Sequence, residues 1–379
     1  MRKNQKTTEK RKVKIMRDNK LIAIDLFCGC GGFSYGFQQA GFEMALGIDM
    51  WKDATITYKH NFPGANVINE DITLIDAETI LSKAGCKKEE IDVIIGGPPC
   101  QGFSVSGKRM IDDPRNKLYK SFVSIVEQLQ PKVFVMENVP GLIRLFGGKV
   151  KEEVLSDFSA IGYRVKVQQL SSDDYGVPQQ RKRVFFVGLN KNVFDEDIEF
   201  SFPKPTHGVG LKNVITCKEA ISDLDFVPDD VSLGENIEYA LPATNDYQRK
   251  MRDGSSVIKN HSITIHKEQT KQIIAMVPDG GNYKDLPIEL QSTRKVNIAW
   301  TRMNSEKPCF TIDTGHNHHF HYKENRVPTV RESARIQSFP DKFEFIGIKT
   351  SQLKQVGNAV PPLMAEAIAK QVIEVIERR

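Results

Sequence analysis

The sequence predicts an α/β protein, with a mostly parallel, twisted sheet carrying helices on both faces and a smaller, irregular, mostly β or loop region after it. Three observations predict it. Short apolar runs alternate with amphipathic stretches from Lys20 to about Gly188, and that alternation builds βαβ units. The residues of unusual type fall at predicted strand ends, where ligands bind in such sheets. From about Leu189 to Asn325 the pattern weakens, and turn signals accumulate at Pro203, Pro205, Pro228, Asp253-Gly254 and Gly280-Gly281.

The elements follow in order. Leu21–Phe27 reads as a buried strand that ends in glycines. A helix follows from Phe33 and is closed by Gly41. Next come a strand near Glu43–Ile48 and a helix around Asp53–His60. Asp92–Ile95 is a strand running into Gly96-Gly97-Pro98-Pro99. Lys117–Gln130 is helical and stops before Pro131. Lys132–Met136 is a strand ending at Glu137-Asn138, and Glu152–Ile161 is a helix ended by Gly162. Tyr163–Leu170 and Arg183–Gly188 are two final strands. Pro361-Pro362 opens a last helix with Met364, Ala365, Ile368, Val372, Val375 and Ile376 on one apolar face. The expected organisation is a basic tail (1–19), a first, α/β domain (20–188), a smaller second domain (189–344) and a C-terminal segment (345–379) packing back on the first.

Composition narrows the function classes. A hydrophobic share of 40% and a charged share of 27% exclude a mostly disordered chain. Six cysteines over 379 residues exclude a disulfide-stapled mini-protein. The sequence has neither an apolar run near the ~20 residues a bilayer requires nor a signal-peptide core, so a soluble cytoplasmic protein with reduced thiols is expected. The net charge of +5 is uneven: residues 1–20 hold nine basic side chains against Glu9 and Asp18. Such an arm can hold a polyanion by counterion release, or can be a solvated leader.

Four motifs carry chemistry. Asp25-Leu26-Phe27-Cys28-Gly29-Cys30-Gly31-Gly32 follows a strand and opens a helix, so its glycines allow close backbone approach to a ligand. The dinucleotide fingerprint needs a third small residue where Ser34 stands, which makes a pyrophosphate site a poor fit. Asp49 ends the next strand and Asp71 closes a third; two acids beside a glycine turn suit a nucleoside without phosphate. Pro98-Pro99-Cys100-Gln101 delivers a thiol to a rigid corner and then to a loop, where a thiolate can act as nucleophile. Glu137-Asn138-Val139 ends a neighbouring strand, and Gln180-Arg181-Lys182-Arg183 offers guanidinium groups for phosphate or a base carbonyl.

With these residues in place, the sequence resembles the DNA (cytosine-5) methyltransferase family, in the form found in bacterial restriction-modification systems. The glycine loop, Pro-Pro-Cys-Gln, Glu-Asn-Val, Gln-Arg-Lys-Arg, Thr329-Val330-Arg331-Glu332 and Gly357-Asn358-Ala359-Val360 stand in the family's order. The resemblance covers about 20–190 and 326–379 and leaves 190–300 as the variable target recognition region. It implies a Rossmann-like methyltransferase domain, S-adenosyl-L-methionine as methyl donor, S-adenosyl-L-homocysteine as product and no metal. Phe27, Gly29 and Gly32 would line the methionine and adenosine, Asp49 would hold the ribose and Asp71 the adenine amine. Leu118 and Asn358 would close the pocket, with Met50, Ile72, Pro99 and Val360 completing the cofactor set. The family often places a large apolar or aromatic residue after the ribose acid; here Met50 stands there, with Trp51 one further on.

The implied catalytic set is Cys100, Glu137, Arg183 and Arg181. Cys100 would add to cytosine C6, Glu137 would serve N3, Arg183 would contact O2, and Arg181 would support it or meet a phosphate. The base must leave the duplex for this, as methyltransferase substrates do, and the polar loop Ser104–Asn116 is expected to close over it. The expected partner is double-stranded DNA bound by a monomer, with a restriction endonuclease of the same specificity. RNA cytosine methylation, a non-catalytic DNA-binding regulator and a nicotinamide or flavin oxidoreductase are the rival readings. The dense His316–His321 run matches no structural zinc spacing and suggests a DNA-facing loop. Cys28 and Cys30 read as small packing residues at a tight turn.

Overall fold

Seven strands form one sheet in the order β3-β2-β1-β4-β5-β8-β6. The computed structural model describes residues 20–99, 117–225, 236–291, 300–314 and 319–379. The strands are β1 (Ile22–Leu26), β2 (Glu43–Ile48), β3 (Asn66–Ile68), β4 (Ile91–Gly96), β5 (Val133–Asn138), β6 (Tyr163–Ser171) and β8 (Lys182–Asn190), with the two-residue β7 (Gln179–Gln180) just before β8. β3, β2, β1, β4 and β5 are parallel. β8 runs antiparallel to both β5 and β6. The helices of this part are α1 (Gly32–Ala40), α2 (Lys52–Asn61), α3 (Ala77–Ala84), α4 (Lys117–Leu129) and α5 (Lys149–Ala160).

Alternate strand residues feed two cores. Ala23, Val93, Ile95, Val133, Val135 and Val187 pack on one face with α1 and with α12 (Pro362–Glu377). Ile22, Ile24, Leu26, Ile94, Phe134 and Met136 pack on the other face with α4 and α5. Burial on both faces explains the continuous apolar strands. On the first face α1 and α12 approach closely: a Cβ on Gly36 would lie 2.4 Å from the Ala365 Cβ and 2.5 Å from the Pro362 carbonyl oxygen. The third strand ends at Ile68 rather than reaching Asp71. Asp71 instead caps a short 3-10 turn, its Oδ1 accepting from the Thr73 amide at 3.0 Å and hydroxyl at 2.9 Å.

The second region is irregular, as expected, but among the described residues its β character is confined to two-residue ladders. β9 (Ile237–Glu238) pairs with β10 (Val257–Ile258), β11 (Thr301–Arg302) with β13 (His319–Phe320), and β12 (Cys309–Phe310) with β7. Short helices hold more of its described residues: α6 (Cys217–Ile221), α7 (Asp246–Arg252), α8 (Glu268–Met276) and α9 (Ile288–Gln291). Packing onto the first core resumes with α10 (Val330–Ile336): Val330, Ala334, Phe339, Phe343 and Phe345 join it ahead of α11 (Lys349–Asn358).

Buried charge replaces apolar periodicity around α10. Arg335 is fully buried against Asp341 at 2.6 Å and Asp223 at 3.2 Å. Arg326 forks onto both Glu332 oxygens at 2.7 Å, and Glu332 also closes a capping box with Thr329. His321 is fully buried beside them, so the DNA-facing reading of the histidine run fails for this residue. His319 is buried too, with its ring 4.3 Å from that of Phe310; His316 and His318 lie outside the described residues, as does the tail 1–19. The His321 Nδ1 accepts the Lys323 and Glu324 amides, at 3.1 and 3.0 Å. The ring therefore carries its proton on Nε2 and is neutral.

Two predictions follow from this packing. Ala in place of Gly normally strengthens a helix, but Gly36→Ala forces α1 off the α12 backbone and should destabilise the protein by about 1–3 kcal/mol, read as a lower urea midpoint; an unchanged or higher midpoint would refute the contact. The second prediction concerns pH. Burial pushes His321 down to about 4, an effect opposed by Glu332 and Asp225 and reinforced by Arg326 and His261. Since the unfolded histidine titrates near 6.5, the unfolded chain takes up the proton first as pH falls, and stability is lost from there downward. Lowering pH from 7.5 to 5 should remove about 2 kcal/mol through this group, and His321→Gln should flatten that slope in denaturant titrations.

Candidate active site

The site is assembled at the carboxyl ends of β1, β2, β4 and β5, on both sides of the point where strand order reverses between β1 and β4. A cleft of about 850 Å³ lies there. Its wall includes Phe27, Gly29, Gly32, Asp49, Met50, Asp71, Ile72, Pro99, Leu118, Asn358, Val360, Glu137, Arg181 and Arg183. These are the sequence-predicted site residues within the described part of the chain. Cys100 and the loop 104–116 lie outside it.

The turn after β1 explains its glycines. Phe27 has φ 68° and Gly31 φ 103°, a left-handed conformation that only glycine adopts without cost. A Cβ on Gly31 would meet the Phe62 ring at 2.4 Å, and one on Gly32 would meet the Val360 carbonyl oxygen at 2.4 Å. The chain's last segment therefore lies directly on the turn. Ser34, at the position of the missing fingerprint glycine, donates to Asp25 at 2.5 Å and lies 2.9 Å from the Tyr58 hydroxyl. Asp25 is wholly enclosed, and burial raises its carboxyl to about 8. Sequence reading missed this group because a single acid inside an apolar strand carries no periodic signal. Cys28 and Cys30 are buried free thiols, and burial raises both.

Asp49 is fixed from both sides. Its Oδ2 accepts the Gly29 amide at 2.9 Å and its Oδ1 the Trp51 amide at 2.8 Å. Burial raises its pKa, and these two bonds oppose the rise. Met50 stands on the rim with 67% of its surface exposed. The Trp51 ring lies beneath the Lys354 ammonium, 4.8 Å from centroid to nitrogen. Both side chains therefore border the Asp49 end of the cleft.

The opposite end holds the titratable pair. Arg183 Nε lies 2.7 Å from Glu137 Oε1, each side chain being only 14% exposed. Asn138, next to Glu137, donates to the Pro98 carbonyl at 2.9 Å and so fixes the Pro98-Pro99 corner to β5. A Cβ on Gly97 would lie 2.9 Å from Glu137 Oε2, which gives the glycine before the corner its reason.

Of the two roles expected for Arg181, support of Arg183 or contact with a phosphate, burial speaks against the second. Arg181 is 2% exposed, with Nη1 donating to the Ile312 carbonyl at 3.1 Å, so a phosphate contact is closed to it and it holds the wall instead. Burial, joined by the like charge of Arg183, pulls its pKa down to about 9, opposed by Glu137; it remains a cation at neutral pH. Thr311 to Thr314, Lys354 and Gln355 also line the cleft. Nothing in the weakly patterned sequence around 311–314 singles that segment out. Among the described residues no group of three or more His, Cys, Asp or Glu side chains could hold a metal ion.

Comparison with known proteins fits this geometry. Residues 21–374 match the family model described as C-5 cytosine-specific DNA methylase. The Type II methyltransferase M.DdeI of Desulfomicrobium norvegicum is 40% identical over 374 residues, covering 92% of this chain and 88% of the relative. The Type II methyltransferase M1.HphI of Haemophilus parahaemolyticus is 39% identical over 357 residues, covering 93% and 87%. Among solved structures, a candidate DNA modification methyltransferase encoded within a prophage (E. coli) superposes with a TM-score of 0.75 at 28% identity, covering 94% of this chain and all of that one. The Dnmt2 methyltransferase of S. pombe shares the fold, with a TM-score of 0.56 at 15% identity and coverage of 94% and 99%. The strand-end acids, the proline corner and the carboxylate–guanidinium pair thus stand in a chain that belongs to the C-5 cytosine-specific DNA methylase family.

Proposed function

We propose that this DNA cytosine-5 methyltransferase of Type II restriction-modification type moves the methyl group of S-adenosyl-L-methionine to C5 of a cytosine flipped out of duplex DNA, through a transient bond between Cys100 and C6. One observation carries the reading: the Glu137–Arg183 pair faces the same cleft as the glycine turn and Asp49, beside the corner from which Cys100 follows in the chain.

The donor fits the opposite end. Gly32 lies so close to Val360 that the turn presents backbone rather than side chains, and Asp49 and Asp71 would repel a pyrophosphate but suit ribose hydroxyls and an adenine amine. The Ser34 hydroxyl is already spent on Asp25 and Tyr58. When bound, S-adenosyl-L-methionine supplies an electrophilic methyl group on a sulfonium and leaves as S-adenosyl-L-homocysteine.

Cytosine C5 is a poor nucleophile. Addition of the Cys100 thiolate to C6 makes C5 enamine-like and builds negative charge on the ring. Glu137 relieves that charge through a proton shared with N3, and Arg183 holds Glu137 in place while presenting its guanidinium to O2. Loss of the C5 proton after methylation reforms the C5–C6 double bond and expels the thiolate. Residues 189–344 would choose the target sequence, and the loop 104–116 would cover the flipped base. The reading extends to a cytoplasmic enzyme, monomeric on its duplex, that shields host DNA from a paired endonuclease; the Type II relatives support that context.

Tritium transfer from labelled donor to unmethylated plasmid DNA, with bisulfite sequencing of the product, tests the assignment. Cys100→Ser should lose turnover while DNA binding stays measurable, and should form no covalent adduct with 5-fluorocytosine DNA. Retained methylation would remove Cys100 from the mechanism, and label without a C5 signal would remove the whole reading. Glu137→Gln should lower kcat by about 100-fold or more while leaving S-adenosyl-L-homocysteine affinity close to wild type; a loss confined to cofactor binding would contradict its role at N3.

A further inference from the structure

Two glutamines, both fully buried, join parts of the cleft that lie far apart in sequence. The Ile312 amide donates to Gln179 Oε1 at 2.9 Å. Gln179 Nε2 donates to Gln337 Oε1. Gln337 Nε2 then donates to the Ala359 carbonyl at 2.6 Å. The chain runs one way, from a backbone donor at Ile312 to a backbone acceptor at Ala359. Rotating either side-chain amide would set donor against donor or acceptor against acceptor, so both orientations are fixed by their neighbours. A neutral chain polarised in one direction strengthens each of its bonds.

The ends of the chain matter. Gln179 sits two residues before Arg181 and four before Arg183. Ile312 also receives Arg181 Nη1 at 3.1 Å. At the other end, Ala359 separates Asn358 and Val360 on the cofactor side of the cleft. The ring closes through Gly357, where a Cβ would lie 2.2 Å from the Asp313 carbonyl oxygen. Four segments (179–181, 312–313, 337 and 357–359) therefore abut in a closed circuit. A shift of the cofactor-side segment must be taken up by the segment that bears Arg181 and Arg183.

We propose that Gln337 is a positioning residue that couples cofactor occupancy to the placement of Arg181 and Arg183, so that donor and DNA each bind more tightly in the presence of the other. The coupling rests on the proposed cofactor and base ends of the cleft, and by linkage it must be reciprocal. Gln337 touches neither substrate. Its removal should leave each binary complex nearly intact and weaken the ternary one.

The test measures S-adenosyl-L-homocysteine affinity by calorimetry, alone and with saturating unmethylated plasmid DNA, in the full chain. In the wild-type protein DNA should tighten that binding by about fivefold or more. In Gln337→Met, affinity without DNA should stay within about twofold of wild type while the tightening by DNA falls below about twofold. Gln337→Leu loses both the acceptor for Gln179 and the donor to Ala359, so it should behave alike; it replaces the Met variant if that does not fold. A variant that is folded and keeps the wild-type tightening overturns the inference, as does a wild-type protein that transfers label yet shows no tightening. If neither variant folds, Gln337 is structural only and the inference falls. Wild-type protein that neither binds S-adenosyl-L-homocysteine nor transfers label defeats the functional reading itself.

Discussion

The site depends on one strand running against its neighbours. Glu137 ends the parallel strand β5, and Arg183 begins β8, which is antiparallel to it; the register sets Asn138 against Val184 and Glu137 against Phe185. Only with β8 reversed does the start of that strand lie at the carboxyl edge of the sheet, where the other site residues emerge. A shift of one residue would turn Arg183 to the opposite face. Val184 to Val187 are apolar without alternation and buried in both cores, so the register is held by close fit instead: Gly188 stands opposite Phe134, and a Cβ there would lie 2.0 Å from its ring. The guanidinium is thus delivered to the carboxylate by sheet packing, and the ion pair reports the register rather than creating it.

A different economy holds around α10. Arg331, Arg335, Glu332 and Asp341 are fully buried, although desolvating such groups costs several kcal/mol per ion. Each guanidinium is met by carboxylates or carbonyls: Arg335 by Asp341, Asp223 and the Ala220 carbonyl, and Arg331 by the Pro340 and Phe343 carbonyls. Hydrophobic residues of equal volume could match this in stability. They could not reproduce the directed bonds by which one short helix joins α6, the Lys259–Asn260 segment and the turn after Phe339. Losing one partner would leave a buried charge uncompensated, so the network holds a single arrangement of segments whose apolar contacts alone would allow several.

Legibility in the sequence followed the same division. Most strands and helices from β1 to β8 were readable because each buries a face, and burial imposes a period; α3 was not, since it buries only Ile80 and Ala84. The strand-end acids, the proline corner and Glu137 were readable because their chemistry departs from the strands that carry them. Asp71 was misplaced by three residues, since a capping acid and a strand-end acid look alike in one dimension. The short helices of the second region escaped because four to nine residues give no reliable period. His321 and α10 escaped because their burial is bought with charge, which reads as surface. Arg181 read as exposed for the same reason, though its guanidinium is covered by the segment around Ile312.

The glycine turn and the helix after it are covered by residues more than 300 positions away: Val360 over Gly32, and Ala365 over Gly36 within α1. Between them the chain folds an entire second region. Contacts at such separation must overcome the closure entropy of the intervening chain before they stabilise anything. The shape of the glycine turn therefore depends on α12 being docked on α1 and on the segment 357–360 lying at the cleft. Without the chain after β8, α1 and one face of the sheet would lose their α12 packing and the cleft would lose Asn358 and Val360. The strands from β1 to β8 bring Asp49 and the Glu137–Arg183 pair to the cleft, and the last two helices help to enclose it.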